Sequence, residues 1–391
     1  MRPELPIAGS IAPGWESIRD VFIENFSSTP GTPDDPGDLG AGLCVIAAGE
    51  TVVDLVGGWR DRAQTVGYDH DTLVNAYSVG KGVAAAVALA AVSRGLIDLD
   101  EPAHRHWTEL PQATTLREHL SHQAGLPAVR GEAPDWLPMD WGAMCDALAM
   151  SEPWWEPGAA HGYHTNTAGF LVGEPVRRAA GALRFGDLLQ EWFARPLDAD
   201  LFFGVPRDHL ARCAQLGLSF ASPATMPQKQ TPVFADDLAR MRHHAYFNPS
   251  TVSGMGVVET AIWRQAEVPS TNMHATARGV ARVYASLLDP AGPVDPAVLA
   301  DACSTQVDGP DLILEKRSRF GLGFQLHQDD RPIGVTEDSF GHYGFGGSIG
   351  FADAEAGIAV GYVLNRPGDR WQIPRTKRLL AALREVLGAA A

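Results

Sequence analysis

Apolar and polar residues follow two different spacings in the first hundred residues. Residues 13–26 have the spacing of an amphipathic helix, and residues 41–59 alternate like the two strands of a β-hairpin. Residues 78–95 are dominated by Ala, Val and Leu, which predicts a helix that is buried on most of its faces. The N-terminal part of the chain therefore combines a strand pair with helices.

Strand-like alternation returns near the C-terminus. Residues 319–328 and 340–365 alternate and turn like antiparallel strands. Residues 275–288 and 375–390 have the apolar spacing of amphipathic helices. Because strands stand at both ends of the chain, we expect one sheet built from both termini.

The chain between these strands is helical or irregular and rich in Trp and Pro, without convincing strand pairs. We therefore predict an α/β plus all-α protein in which an antiparallel sheet is flanked by helices. Residues 1–102 and 284–391 would form the discontinuous sheet domain, and residues 103–283 an inserted helical domain. Within the latter, residues 226–256 are loop-like and could line a substrate entrance.

Composition narrows the class of partner. The chain has 391 residues, 45% of them hydrophobic, and a formal net charge of −16, which argues against a nucleic-acid groove. No apolar window reaches the length of a membrane span, and no secretory signal is visible. We expect a soluble, cytoplasmic protein with a small-molecule substrate and no nucleic-acid or membrane partner, and leave a homo-oligomer open. Four scattered cysteines without a C-x-x-C pair indicate free thiols, namely Cys44, Cys145, Cys213 and Cys303.

A serine and a lysine stand three residues apart at the start of the apolar helix. Ser78 and Lys81 can meet on one helix face, and the helix N-terminus favours negative charge on the serine oxygen. A partly desolvated lysine could take or relay the serine proton. The alternative is a capping serine beside a lysine whose amine reaches solvent. Lys81 is one of only four lysines in the chain, which favours a specific role.

A second element, "EPGAAHGYHTNTAGFLVGE", places Tyr163 on a loop after a Pro-Gly turn. A tyrosine beside a protonated lysine ionises more easily, so Tyr163 could be a general base; simple packing is the alternative. His161 and His164 have the spacing of no usual metal-ligand set. We therefore predict neither a metal nor a cofactor.

The third element, "FGHYGFGGSIGFAD", is a glycine-rich strand that lets a substrate carbonyl approach the backbone. One of its N–H groups and that of Ser78 would form an oxyanion hole, in which each donor is worth about 3 kcal/mol. Ser348 fits the G-x-S-x-G nucleophile elbow, but that elbow needs a following helix, whereas residues 349–365 are strand-like. We therefore reject Ser348 as the nucleophile.

The three ordered motifs S-V-G-K, Y-H-T and H-Y-G resemble those of the serine β-lactamase and penicillin-binding-protein superfamily. The details are most similar to its esterase branch, the family VIII carboxylesterases and CubicO-type β-lactamase-related proteins. The resemblance implies an α/β domain and a helical domain with the site between them. It also implies that Ser78 is the nucleophile, Lys81 its partner, Tyr163 the base and the Phe345 N–H the second oxyanion donor. Supporting phrases are "TLREHLSHQAGLP", "NPST" and "PSTNMHATARGVARVYASL".

Two departures from the family pattern favour esters over β-lactams. The Y-x-N element of class C β-lactamases has Thr165 in its third place, with Asn166 one position late. His342 stands where K-T-G has lysine, and a neutral imidazole holds a β-lactam carboxylate weakly. The residues expected to contact the substrate are His342, Tyr343, Gly344, Trp155 and Asn248.

The predicted function is therefore hydrolysis of carboxylic esters of small to medium acyl groups through an acyl-enzyme. Acyl transfer, amidase or D-aminopeptidase activity and weak β-lactamase activity remain alternatives on the same site. A non-catalytic binding module is the alternative from another class, although such a module has no need of Ser78, Lys81 and Tyr163 together.

Overall fold

A nine-stranded antiparallel sheet takes its strands from both ends of the chain, as the sequence predicts. The computed structural model describes residues 4–28, 35–111, 113–217, 233–249, 252, 257–368 and 371–388. The strands are β1 (Ile7–Ile11), β2 (Gly40–Ala47), β3 (Glu50–Gly58), β4 (Val74–Asn75), β5 (Leu201–Phe202), β6 (His274–Ala275), β7 (Val307–Pro310), β8 (Arg317–Phe320), β9 (Gln325–Leu326), β10 (Ser339–Tyr343), β11 (Ile349–Asp353) and β12 (Ile358–Leu364). In the large sheet their order is β1-β3-β2-β12-β11-β10-β9-β8-β7.

Helices cover both faces of this sheet and form the region beside it. They are α1 (Glu16–Glu24), α2 (Val79–Ser93), α3 (Leu116–Leu120), α4 (Trp141–Ala149), α5 (Ala168–Ala179), α6 (Phe185–Leu189), α7 (Asp237–Phe247), α8 (Ala261–Gln265), α9 (Ala277–Leu288), α10 (Pro296–Cys303) and α11 (Pro374–Leu387). Within the described ranges, none of these helices is both long enough and apolar enough to cross a membrane.

The central strand β12 shows how the sequence separates two cores. Its residues alternate between the faces of the sheet, as a period of two requires. Val360 and Tyr362 face the core beneath α1 and α11, whereas Ala359 and Val363 face the core that contains α2 and α9. Because both faces are covered, β12 is apolar throughout and fully buried.

Helix α2 passes through the larger core, and its first turn depends on two glycines. A Cβ on Gly82 would lie 2.1 Å from the Tyr284 Oη of α9. A Cβ on Gly80 would lie 2.3 Å from the carbonyl oxygen of Pro269. Both distances are too short for a side chain, so glycine is required for α9 and the 269–270 segment to pack against the start of α2.

The structure corrects several predictions for the region between the sheet strands. A second, three-stranded sheet, β4-β6-β5, joins residues just before α2 to two segments that were read as strand-free. Helix α7 forms inside the predicted loop 226–256, of which residues 226–232, 250–251 and 253–256 lie outside the described residues. The edge strands β1 and β7 were also missed, because edge strands lack the apolar run of a buried strand.

Helix α9 runs through the predicted domain boundary at 283/284. It packs on β2, β11 and β12, where a Cβ on Gly361 would lie 2.2 Å from the Ala277 carbonyl oxygen. The whole helix therefore lies against the sheet.

All four cysteines are free thiols, and burial raises the pKa of Cys44 to about 12.

Candidate active site

Ser78 lies at the turn from β4 into α2, with its side chain facing Lys81. Tyr77 adopts a left-handed φ of 50°, which is rare for an aromatic residue and sharpens the turn before Ser78. Lys81 Nζ lies 3.1 Å from Ser78 Oγ, and both residues are buried. The three-residue spacing has therefore brought the two side chains into hydrogen-bond contact, as the sequence predicts.

The Lys81 amine has two backbone partners besides Ser78. It donates to the Thr165 carbonyl oxygen at 2.6 Å and to the Ser270 carbonyl oxygen at 3.0 Å. No carboxylate pairs with it in the described part of the chain, and burial lowers its pKa well below the usual range. A neutral amine has two N–H groups, which the two carbonyls take, so its lone pair is left for the hydroxyl proton of Ser78.

Tyr163 lies on the other side of Ser78. Ser78 is close enough to its phenol to lower the pKa of the phenol, against the larger effect of burial, and Lys81 Nζ is 4.7 Å from the centroid of its ring. Burial raises the pKa of the Tyr163 phenol well above its usual range. In the resting site burial therefore opposes the easy ionisation that the sequence predicts for this phenol beside a protonated lysine.

Tyr163 is held in an aromatic cluster that the sequence did not reveal. Its ring stacks on Phe320 at 5.9 Å and meets Trp371 edge-on at 5.1 Å. Phe320 ends β8, and Trp371 precedes α11, so both are distant from Tyr163 in the chain. No local motif marks these residues, because the contacts depend on how distant segments pack.

His342 extends from β10 toward Tyr163. Its Nδ1–H donates to the Tyr343 carbonyl oxygen at 2.6 Å, which leaves the Nε2 lone pair facing the Tyr163 hydroxyl at 3.5 Å. Burial lowers the pKa of His342 to about 3. The imidazole is therefore neutral at physiological pH, in agreement with the sequence-based expectation.

The glycine-rich motif brings the end of β10 against the start of α2. A Cβ on Gly344 would lie 2.3 Å from the Ala76 carbonyl oxygen, two residues before Ser78. The Phe345 and Tyr77 rings meet edge-on at 5.5 Å. Phe345 therefore lies beside the nucleophile turn, which is where a second oxyanion donor is needed.

The rejected alternative, Ser348, is placed in another environment. Strand β11 follows it directly, so the strand-to-helix elbow does not form. Its hydroxyl oxygen accepts the Leu364 N–H at 3.3 Å within the sheet. Ser348 is a structural residue of the sheet.

Two of the residues predicted to contact the substrate, Tyr343 and Asn248, have hydrogen-bond partners within the protein. The Tyr343 side chain packs in the core beneath α1 and α11 and donates to the Pro332 carbonyl oxygen at 2.8 Å. The Asn248 amide binds the Gly131 carbonyl oxygen at 2.7 Å and accepts the Ala133 N–H at 2.9 Å. The sequence did not reveal these partners, because the position of a residue next to a motif does not indicate the face of the element on which its side chain lies.

Trp155 packs against the cluster that contains Tyr163. Its indole N–H donates to the Gln123 carbonyl oxygen at 3.3 Å, and its ring meets His164 edge-on at 5.6 Å. A Cβ on Gly162 would lie 3.0 Å from this indole. Trp155 therefore packs against the segment that carries Tyr163, and its contact with substrate stays a prediction.

The histidines near Tyr163 are bound to protein atoms. His164 Nδ1–H donates to the Gly162 carbonyl oxygen at 2.7 Å, and its Nε2 accepts the Leu126 N–H at 3.1 Å. His161 Nε2 contacts Ser318 Oγ at 2.9 Å. The described residues contain no group of three or more His, Cys, Asp or Glu placed to hold a metal ion.

Comparisons with known proteins agree with this architecture. Residues 31–383 match the beta-lactamase family. The esterase/beta-lactamase LipL of Mycobacterium tuberculosis is 32% identical over 345 residues, in a match that covers 84% of this chain and 77% of LipL. The crystal structure of a family VIII carboxylesterase is 30% identical with a TM-score of 0.86, covering 97% of this chain and 100% of that one.

A penicillin-binding-protein homologue from Caulobacter crescentus is 34% identical with a TM-score of 0.84, again covering 97% of this chain and 100% of its own. The similarity thus extends over nearly the whole chain. The fold and the class of enzyme that the sequence predicts are confirmed. The chain belongs to the beta-lactamase family and is a serine hydrolase.

Proposed function

We propose that the protein hydrolyses carboxylic esters of small to medium acyl groups, with Ser78 as the nucleophile. The observation that carries this proposal is the environment of Lys81. Its amine lies 3.1 Å from Ser78 Oγ and contacts two carbonyl oxygens, and burial lowers its pKa well below the usual range, which favours the neutral amine. A neutral amine in this place is a base for the serine proton, and a binding module has no need of one.

Acylation uses the resting protonation states directly. Ser78 Oγ bonds to the ester carbonyl carbon while its proton moves to Lys81 Nζ, and the Ser78 and Phe345 N–H groups stabilise the oxyanion. The tetrahedral intermediate then loses the alcohol. Tyr163 gives its phenolic proton to the departing alkoxide, which leaves a phenolate beside the protonated Lys81.

Hydrolysis of the acyl-enzyme returns both groups to their starting states. The Tyr163 phenolate takes a proton from water as the water oxygen attacks the acyl carbon. When Ser78 Oγ is expelled, Lys81 gives it the proton that it received during acylation. The influence of a protonated lysine on the phenol therefore applies to the acyl-enzyme. In the unacylated structure Lys81 Nζ already lies 4.7 Å from the ring centroid.

The neutral His342 supports esters as substrates in preference to β-lactams. A β-lactam carries a carboxylate, and a charge-assisted contact to it is worth about 1.5–3 kcal/mol. His342, with a pKa of about 3, supplies no positive charge at neutral pH. The missing contact corresponds to roughly ten- to a hundredfold weaker capture of the anion, whereas an uncharged ester loses nothing. The neighbouring family VIII carboxylesterase structure supports an ester substrate, whereas the name of LipL includes both esterase and beta-lactamase.

The test combines a substrate panel with active-site labelling. Pure protein is assayed with nitrophenyl acetate and butyrate, nitrocefin and a D-alanyl peptide, and a fluorophosphonate probe is located by mass spectrometry. We expect ester hydrolysis well above nitrocefin turnover and an adduct on Ser78. Ser78→Ala should abolish both, and the matched Ser348→Ala should keep them. Faster turnover of nitrocefin would make the protein a β-lactamase, and an adduct on Ser348 would overturn the proposed nucleophile.

A further inference from the structure

The tip of the hairpin formed by β7 and β8 holds the segment that carries Tyr163. The Tyr163 N–H donates to the Asp311 carboxylate, 3.0 Å from Oδ1 and 3.2 Å from Oδ2. One residue further, the Leu312 N–H donates to the His161 carbonyl oxygen at 3.1 Å. The hairpin tip therefore binds the backbone on both sides of Gly162.

The opposite side of the same segment is bound by His122. The Gly162 N–H donates to the His122 carbonyl oxygen at 3.1 Å, and the His164 N–H donates to His122 Nδ1 at 3.3 Å. Together with Asp311, these bonds satisfy three successive backbone N–H groups, those of Gly162, Tyr163 and His164. The segment is thus fixed between two separate parts of the chain.

The Asp311 side chain is buried, 3% of the residue being exposed, and within the described part of the chain its carboxylate accepts hydrogen bonds from neutral donors. The donors are the N–H groups of Tyr163, Ile313 and Leu314 and the hydroxyl of Ser318. A protonated carboxyl group would have to donate, and these partners all donate to it, so the arrangement suits the carboxylate anion. Because the Ser318 proton goes to Asp311, His161 Nε2–H donates to the Ser318 oxygen.

We propose that Asp311 is a positioning residue that holds Tyr163 as the proton donor to the leaving alcohol. This rests on the proposed function, in which the Tyr163 phenol protonates the departing alkoxide. The backbone hydrogen bond sets the place of the tyrosine relative to Ser78. After the larger effect of burial, the negative charge of Asp311 further raises the pKa of the phenol and so favours its protonated form.

The leaving group distinguishes this role from general support of the fold. An alkoxide needs a proton in order to leave, whereas nitrophenolate and fluoride leave without one. A misplaced proton donor should therefore slow the hydrolysis of ethyl butyrate far more than that of nitrophenyl butyrate, although both esters carry the same acyl group. Loss of fold would slow both esters equally.

The experiment measures kcat/KM, which reports acylation, for the two butyrate esters in Asp311→Asn. We expect kcat/KM to fall by about 10²-fold for ethyl butyrate and by less than about fivefold for nitrophenyl butyrate. The rate of fluorophosphonate labelling at Ser78 should stay within about threefold of wild type, because fluoride needs no proton donor. The matched control is Asp308→Asn, which removes a carboxylate of the same hairpin that pairs with Arg317 at 2.7 Å. This variant should leave kcat/KM for both esters unchanged.

A double-mutant cycle with Tyr163→Phe completes the test. Once the phenol is absent, Asp311→Asn should add no further leaving-group dependence. Should Asp311→Asn fail to fold, Ser318→Ala, which removes one hydrogen bond to the same carboxylate at 2.9 Å, is measured in its place and should change the ratio in the same direction. Equal losses for the two esters, or an undiminished effect in the Tyr163→Phe background, would overturn the role of Asp311. Absence of wild-type labelling at Ser78 would instead refute the proposed function.

Discussion

Two buried basic side chains lie on opposite faces of the large sheet, and their surroundings differ in one respect. Arg375 of α11 is fully buried, and it contacts the Asp38 carboxylate and lies 2.9 Å from Asp35 Oδ1. Lys81 of α2 is 5% exposed and contacts carbonyl and hydroxyl oxygens. One buried base therefore has counterions, and the other is bound only by neutral groups.

The consequence is opposite in the two places. Burial is the largest single influence on Arg375 and opposes its charge, but Asp38, Tyr362 and Asp35 together outweigh burial and raise the pKa of the guanidinium. At Lys81 burial acts without opposition and lowers the pKa of the amine. The ion group fixes structure, because neither charge can be removed cheaply, whereas the neutral amine can still accept a proton. Burial of a base thus indicates chemistry only where the counterion is missing.

The largest expected effect is that of removing the base without a counterion. Lys81→Met takes away the proton acceptor of Ser78, so kcat/KM for nitrophenyl butyrate should fall by about 10⁴-fold. The thermal midpoint should not fall, because the variant places an apolar side chain where an amine is desolvated. Lys377→Met, an exposed lysine of α11, is the matched control and should keep full activity. A substantial activity of Lys81→Met would assign the serine proton to another base.

The converse change removes the base that has counterions. Arg375→Met leaves the carboxylates of Asp35 and Asp38 buried without their cation, which should cost about 3–5 kcal/mol of the free energy of unfolding. A urea titration gives the fraction of folded protein, and ester hydrolysis per folded molecule should equal that of the wild type. Arg378→Met, one turn further along α11 and only partly buried, is the control and should cost less than about 1 kcal/mol. If the two variants were equally stable, the ion group would not anchor this face of the sheet.

The sequence predicted one half of this comparison and missed the other. The S-x-x-K spacing and the apolar helix placed Lys81 beside Ser78, because both residues belong to the same helix turn. The two carbonyls that hold its amine, from Thr165 and Ser270, could not be predicted, since a backbone oxygen has no side-chain signature. Arg375 and Asp38 are likewise far apart in the chain, and a charged pair becomes a buried one only through the packing of α11.

The same limit applies to the substrate contacts. Strand alternation predicted the sheet, but the face on which Tyr343 lies was missed, and so was the binding of Asn248 to the 131–133 loop. Motifs with a fixed local geometry were predicted correctly. Contacts that depend on the relative placement of two elements were not.

An intermediate effect is expected from pH, because the histidines around the site are also bases without counterions. Burial lowers the pKa of His119 to about 4 and those of His164, His274 and His342 to about 3. In the unfolded chain their pKa is about 6.5. The unfolded state therefore binds more protons below that pH, and stability is full above pH 6.5 and is lost as the pH falls toward the folded-state values.

Each histidine should remove about 1.4 kcal/mol of the free energy of unfolding per pH unit below 6.5. Urea titrations at pH 7.5 and 5.5 would measure the loss. His274→Gln should reduce the pH dependence of the free energy of unfolding by the contribution of one proton. A free energy of unfolding that is the same at both pH values would show that these histidines have counterions after all. Activity should fall at low pH because Lys81 becomes protonated. His342 should not cause this fall, because it stays neutral down to about pH 3.

The smallest expected effect comes from a third basic side chain, which has counterions but is not buried. Arg117 of α3 bridges Asp100 at 2.6 Å and Asp301 at 3.0 Å, and its side chain is 26% exposed while those of the two partners are 65% and 38% exposed. Water solvates all three groups, so the ion pairs gain little over the separated charges, and Arg117→Met should cost about 1 kcal/mol or less. Added salt should reduce even that difference, whereas the cost of Arg375→Met should be nearly independent of salt. A loss at Arg117 as large as that at Arg375 would show that counterions alone, without burial, decide how strongly a basic side chain anchors this fold.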